Sequence, residues 1–203
     1  MFKLEHPPKH EGRKMYDYYP TPGWCTKLLL ENYPPPLDVG RYVLEPSAGD
    51  GAIARVVREW NENVRIVGVE IQEKFEPDLR KSCTHVYIDD YFHYASEHQY
   101  AFGACIIGNP PYSLALNFCM GGMLQGVEYM AMLLRIDFLG SQERMHFHNS
   151  FPVTQLIVLG KRPEFKIDGK TDLYNYAWFV WDRRFVNGTY KPMPYKPPIV
   201  VLP

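Results

Sequence analysis

No apolar run approaches the roughly 20 residues that a bilayer-spanning helix requires, so the sequence predicts no membrane partner. The first residues, MFKLEHPPKHEGRK, place no apolar segment behind their charges. They do not read as a secretory leader, and a cytoplasmic location is the expectation. Cysteine is scarce: Cys25, Cys83, Cys105 and Cys119 stand far apart with no C-x-x-C pair. That excludes a zinc ribbon and a dithiol redox motif, no metal is expected, and reduced, mostly buried thiols are the plain reading. Neither sign of charge dominates, with 22 Lys/Arg against 23 Asp/Glu, so nothing implies bulk attraction to a polyanion. The charge is nevertheless uneven. From Lys161 to Lys196 there are eight Lys/Arg against four Asp/Glu, and the first fourteen residues hold four against two. Internal repeats are absent, and proline clusters only at Pro34–Pro36 and in the tail.

What is present is the balance of a globular protein, 46% apolar and 22% charged in 203 residues. That length fits one domain over residues 1–203, with an N-terminal arm (1–18) and a proline-rich tail (186–203) lying extended on the surface. Short β-branched runs recur at Arg41–Glu45, Val64–Glu70, His85–Ile88, Ala101–Ile107, Tyr129–Leu134, Val153–Leu159 and Tyr174–Trp181. Helical stretches are predicted at Thr26–Glu31, Ala52–Glu62, Gln72–Lys81, Leu114–Gln125 and Gln142–Asn149. Buried strands alternating with helices predict an α/β fold, a doubly wound, mostly parallel seven-stranded sheet.

Three motifs carry chemistry. Leu44-Glu45-Pro46-Ser47-Ala48-Gly49-Asp50-Gly51 follows a strand and opens a helix. Its glycines permit a tight turn and close approach to a ligand, and the helix amides face the crevice beyond the strand end. Glu45 at the strand tip suits a ligand bearing an amino group. Glu70, at the end of the next strand, can accept both hydroxyls of a ribose. Ala54 stands three residues after Gly51, which the dinucleotide fingerprint tolerates, so the glycines alone leave NAD open. The third motif is Asn109-Pro110-Pro111-Tyr112, directly after an apolar strand. Two prolines lock the backbone. The Asn oxygen and a main-chain carbonyl then offer two acceptors for one exocyclic NH2, and the Tyr ring can stack on a flat base.

With these motifs the sequence resembles the class I S-adenosylmethionine-dependent amino-methyltransferases that carry an Asn-Pro-Pro-Tyr tetrapeptide, chiefly the gamma-type and phage-like adenine-N6 DNA methyltransferases. The resemblance runs from about residue 16 to 185. It implies a Rossmann-like sheet with an antiparallel C-terminal strand and S-adenosylmethionine as cofactor. Tyr19-Pro20-Thr21-Pro22 is similar to the segment holding the methionine end of the cofactor. Glu45, Pro46, Ser47, Ala48, Gly49 and Gly51 resemble the first cofactor motif, and Glu70-Ile71 the ribose and adenine contact. Asp89-Asp90-Tyr91-Phe92 looks like the loop reading the cofactor adenine, through Asp90 and Tyr91. Asn109, Pro110, Pro111 and Tyr112 match the catalytic motif, with Asn109 also near the cofactor. Further similarity lies in Leu133-Leu134-Arg135, Phe138-Leu139, Arg144, Arg162-Pro163-Glu164-Phe165 and Tyr176–Trp181.

The resemblance implies transfer of a methyl group to N6 of adenine, in DNA before RNA. Adenine in RNA or a glutamine side-chain amide are the alternatives within the same chemistry, and a cofactor-binding module without turnover is the alternative outside it. Arg135, Arg144, Arg183 and Arg184 are the candidate nucleic-acid contacts. The target-recognition domain usual in the family finds no room here, so the expectation is relaxed specificity, a short site read by Lys161–Lys196, or recognition supplied by a partner or a homodimer. His146-Phe147-His148 reads as a helix end rather than a metal site, and Tyr174–Trp181 as a core strand.

Overall fold

The computed structural model describes residues 18–38, 40–98, 103–165, 171–183 and 199–202. The N-terminal arm to residue 17, Arg184 and most of the tail lie outside these residues, as does much of Lys161–Lys196. One sheet runs through the described chain, in the order β3-β2-β1-β4-β5-β7-β6-β8. Its strands are β1 (Tyr42–Glu45), β2 (Ile66–Glu70), β3 (His85–Ile88), β4 (Ala104–Gly108), β5 (Tyr129–Arg135), β6 (Gln155–Leu159), β7 (Tyr176–Asp182) and β8 (Ile199–Leu202).

The seven expected strands are all present. β7 alone runs antiparallel, inserted between β5 and β6 with Trp178 opposite both Leu133 and Ile157. The eighth strand is an addition: Ile199–Leu202, expected as surface-lying extended chain, pairs parallel with β6. Its Ile-Val-Val-Leu sequence is β-prone and free of proline, which suits it to pairing in a sheet.

Among the described residues six helices cover the two faces: α1 (Gly23–Asn32), α2 (Ala52–Trp60), α3 (Glu76–Leu79), α4 (Tyr91–Glu97), α5 (Ala115–Leu124) and α6 (Gln142–Ser150). The strands alternate their side chains between two cores. Leu44, Val67, Ile106 and Met130 pack with α4 and α5 on one face. Val43, Ile66, Cys105 and Tyr129 pack with α1 and α2 on the other. In α2 the pattern is simple: Ile53, Ala54, Val56 and Val57 are buried while Arg55 and Glu59 face water. Complete burial of Ile53 or Val57 contributes about 1.5–3 kcal/mol each. Trp178, buried in β7, donates its indole N–H to the Cys25 carbonyl at 2.8 Å and so ties α1 to the sheet.

Two differences from the sequence reading matter near the site. The Asp89–Phe92 segment is not wholly a loop, because α4 begins at Tyr91. Asp90 caps it by accepting from the Phe92 and His93 amides at 2.7 and 3.3 Å. The expected helix Gln72–Lys81 is shorter, a 3-10 turn at Glu73–Phe75 leading into the single turn of α3 with Pro77 at its start.

Candidate active site

β1 lies between β2 and β4, so the chain connections leave its carboxyl end in opposite directions and a crevice opens there. Its volume is about 1190 Å3. Residues after β1, β2, β3, β4 and β5 all line it, together with the segment leading into α1. Tyr19, Thr21, Glu45, Pro46, Ser47, Ala48, Gly49, Glu70, Ile71, Asp90, Tyr91, Asn109, Pro110, Pro111, Tyr112, Arg135 and Arg144 thus come together. Pro22 and Gly51 stand just behind the lining. Pro22 caps α1 through its carbonyl, and Gly51 caps α2 with φ +80°.

The glycine loop is held from two sides. Glu70 accepts the Gly49 amide on Oε2 at 2.8 Å and the Gln72 amide on Oε1 at 2.9 Å. A carboxylate oxygen carries two lone pairs, so each retains capacity for a ligand hydroxyl. Gly49 has φ +53°, and a Cβ there would meet the Tyr18 ring at 3.1 Å. Glycine therefore lets the Tyr18 ring close over the loop. Glu45, only 2% exposed, accepts the Ala54 amide on Oε2 at 3.0 Å and so satisfies a donor in the first turn of α2. Burial pushes its pKa well above the carboxylate range, against the lowering effect of that hydrogen bond.

The Asn-Pro-Pro-Tyr segment leaves the end of β4 at Gly108. A Cβ at Gly108 would press on the Pro46 ring at 3.0 Å, so glycine lets the Asn-Pro-Pro-Tyr and glycine loops lie against each other. The Asn109 amide donates from Nδ2 to the Thr21 hydroxyl at 3.0 Å and to the Tyr19 carbonyl at 3.4 Å. A carbonyl can only accept, so the nitrogen must face it and the oxygen must face away. That oxygen, Oδ1, is buried and has no hydrogen-bond partner among the described residues.

Tyr112 is more enclosed than a free stacking plate. Tyr176, Tyr19 and Phe165 approach its ring at 5.5, 6.3 and 6.5 Å, and the Arg135 guanidinium lies over it at 4.8 Å. Burial, then the neighbouring Tyr176, raises its phenol pKa. The phenol oxygen is buried, with the Tyr176 hydroxyl as its polar neighbour.

The candidate nucleic-acid residues separate. Arg135 and Arg144 stand at the crevice. Arg183 does not: its amide bonds the Glu128 carbonyl where β5 begins, at the opposite end of the sheet. Sequence reading did not single out Tyr18, Ser113 or Phe118, which also line the crevice. Tyr18 carried one signal, an aromatic ring adjoining the Tyr19–Pro22 segment. His146 and His148 sit within α6, with His148 Nε2 against the Phe138 carbonyl at 3.1 Å, and among the described residues no His/Cys/Asp/Glu group could hold a metal. No helix among the described residues is long and apolar enough to cross a membrane.

No protein-family profile and no curated protein matches the sequence. Solved structures do match. A candidate RNA methyltransferase from Pyrococcus horikoshii superposes with TM-score 0.57 at 15% identity, over 78% of this chain and 81% of its own. A dimethyladenosine transferase from Plasmodium falciparum gives TM-score 0.54 at 11% identity, over 85% of this chain and 66% of its own. A candidate methylase from Haemophilus influenzae gives TM-score 0.51 at 13% identity, over 79% of this chain and 98% of its own. The chain has the Rossmann-like fold of class I methyltransferases.

Proposed function

We propose that the protein transfers a methyl group from S-adenosylmethionine to N6 of adenine in a nucleic acid. The observation that carries this reading is the orphaned, buried Oδ1 of Asn109 in a crevice it shares with Gly49 and Glu70. An unpaired acceptor in a buried place costs stability unless a ligand donor meets it. Exocyclic amines are planar donors of that kind.

The residues fit the cofactor. Glu70 retains lone pairs for ribose hydroxyls, Gly49 leaves room for close approach, and Glu45 offers a carboxyl to the ammonium group. Bound S-adenosylmethionine supplies an electrophilic methyl on a sulfonium. The chain's part is to prepare the nucleophile. The N6 lone pair of adenine is delocalised into the ring and attacks poorly. Asn109 Oδ1 and the Pro110 carbonyl would accept its two hydrogens, favour tetrahedral nitrogen and localise that pair. Positioning and fixed dipoles then lower the barrier with no covalent nucleophile. A base paired inside a duplex cannot reach the crevice and must first be extruded, with the Tyr112 ring beside it.

The order of motifs favours DNA, and the likeness to a candidate RNA methyltransferase favours RNA. One experiment tests the reading. Tritiated methyl transfer is measured side by side on duplex DNA, single-stranded DNA, RNA and a glutamine-bearing peptide. The expected outcome is N6-methyladenine in a polynucleotide. Label appearing only in peptide, or binding of NAD in place of S-adenosylhomocysteine, would overturn it.

A further inference from the structure

We propose that Arg135 and Tyr174 form a strand-docking element beside the target-amine pocket, which takes the phosphodiester and an adjoining base of a single-stranded or locally unpaired polynucleotide. This rests on the reading of the crevice as the methyl-transfer site and names the part of the substrate that lies outside it.

The Arg135 guanidinium is pinned between two rings, 3.7 Å from the centre of Tyr174 and 4.8 Å from that of Tyr112. Tyr112 belongs to the catalytic loop, so the stack runs directly from the chemistry outward. Backbone pairing fixes both ends. Arg135 pairs with Tyr176 across β5 and β7, the Ile136 amide donates to the Asn175 carbonyl at 3.0 Å, and the Tyr174 amide donates to Asp172 Oδ1 at 3.3 Å.

Among the described residues the cation has no ion-pair partner. Asp172, the carboxylate whose field reaches Arg135, takes the Tyr176 hydroxyl on Oδ2 at 2.8 Å. Among the described residues no carboxylate lies within ion-pair distance of Arg135, and its one hydrogen bond is a long one from Nε to Tyr176 Oη at 3.4 Å. The two Nη groups therefore keep in-plane donors for the paired oxygens of a phosphate. Arg144 is different, with Nε on the Ser141 hydroxyl and Nη1 on the Asp137 carbonyl.

Beyond the guanidinium, the surface is apolar and open. Tyr174 is 46% exposed and its neighbour Leu173 82% exposed. An exposed tyrosine held flat by a cation is a stacking platform that tolerates any base. A peptide amide or a free nucleoside offers nothing to such a pair. Because the rim also carries Asp137 and Glu143, one placed cation and one ring should do the docking, without a broad positive field.

The test measures kcat/KM for an adenine-containing single-stranded oligonucleotide and for free adenosine, and anisotropy of the labelled oligonucleotide with S-adenosylhomocysteine across salt, with DNA and RNA arms. Arg135→Gln and Tyr174→Ala should each lower the preference for oligonucleotide over adenosine about 10-fold or more. Arg135→Gln should also reduce the salt slope by about 0.7 for one lost phosphate contact, while Arg135→Lys should keep the slope and lose affinity. The preference is a ratio, so general damage to the crevice cancels. A wild-type ratio and slope in both variants, or a wild-type enzyme preferring a peptide amide, would overturn the docking element. Absence of methyl transfer to any amine by the unaltered protein would instead remove the methyl-transfer reading beneath it.

Discussion

The side-chain amide of Asn109 is anchored by Thr21, whose hydroxyl accepts from Nδ2 at 3.0 Å while Oδ1 is left buried without a partner. A residue 88 positions earlier thus sets the direction of the acceptor that would receive the target amine. Thr21→Val keeps the shape and removes the hydroxyl, leaving only the longer contact to the Tyr19 carbonyl. Loss of a neutral hydrogen bond of about 1 kcal/mol should free the amide to turn. The expected outcome is a fall of about 5- to 10-fold in kcat, restored by Thr21→Ser. Single-turnover kinetics check it, and a Val variant with wild-type kcat would remove Thr21 from a positioning role.

Asn109→Ala deletes the acceptor itself. Turnover should drop by about 10²-fold or more, the scale of losing one preorganised transition-state partner. Tyr112→Ala should act on capture instead, raising the KM for a polynucleotide by the equivalent of about 1–3 kcal/mol. Tyr112→Phe should be nearly silent, because the ring and not the hydroxyl does the stacking. Full activity of Asn109→Ala on every amine substrate would reduce Asn-Pro-Pro-Tyr to a structural turn.

Much of this site was legible because its signals are local. The glycines at 49 and 51 announce positive φ, and both adopt it. The acids at 45 and 70 end their strands, and parallel pairing brings those ends to one crevice. What escaped the sequence depends on tertiary contact. Helix α4 went unread because Tyr91–Glu97 is short and rich in aromatics, and its stability comes from packing on Phe118 rather than from propensity. Strand β8 was hidden because a proline-rich flank masks four residues whose pairing partner, β6, lies about forty residues earlier. The equal weight given to Arg135 and Arg183 had the same origin. Only the antiparallel register of β7 shows that they sit at opposite ends of the sheet.

Glu45 gives the stability a definite dependence on pH. Unfolded, its carboxyl ionises near the ordinary value of 4.5; folded, burial holds the proton to well above it. A raised folded pKa means that this contribution is fully present below the unfolded pKa and is lost as pH rises through the folded one. The wild-type Tm should therefore decline toward alkaline pH. Glu45→Gln, which remains neutral and still accepts from Ala54, should decline less. S-adenosylhomocysteine should also flatten the wild-type curve, since its ammonium favours the ionised carboxylate. Thermal scans from about pH 5 to 9 decide, and parallel curves for the two proteins would show that Glu45 does not titrate as its burial requires.

Glu70 separates cofactor binding from chemistry. Its two oxygens hold the Gly49 and Gln72 amides, so Glu70→Ala strips acceptors from two backbone donors and unties the glycine loop from β2. Each donor left unmatched costs about 1–3 kcal/mol, and Tm should fall accordingly. Ribose hydroxyls would also lose a charged acceptor worth about 1.5–3 kcal/mol, a weakening of at least about 10-fold in S-adenosylhomocysteine affinity. Asn109→Ala, acting on the amine, should leave that affinity within about 3-fold, since the proposed cofactor contacts lie chiefly in the earlier loops. Calorimetric titration of both variants gives the contrast directly. Were Glu70→Ala to bind S-adenosylhomocysteine as tightly as wild type, the carboxylate would be a loop fastener only, and the ribose contact would have to be sought elsewhere along the crevice.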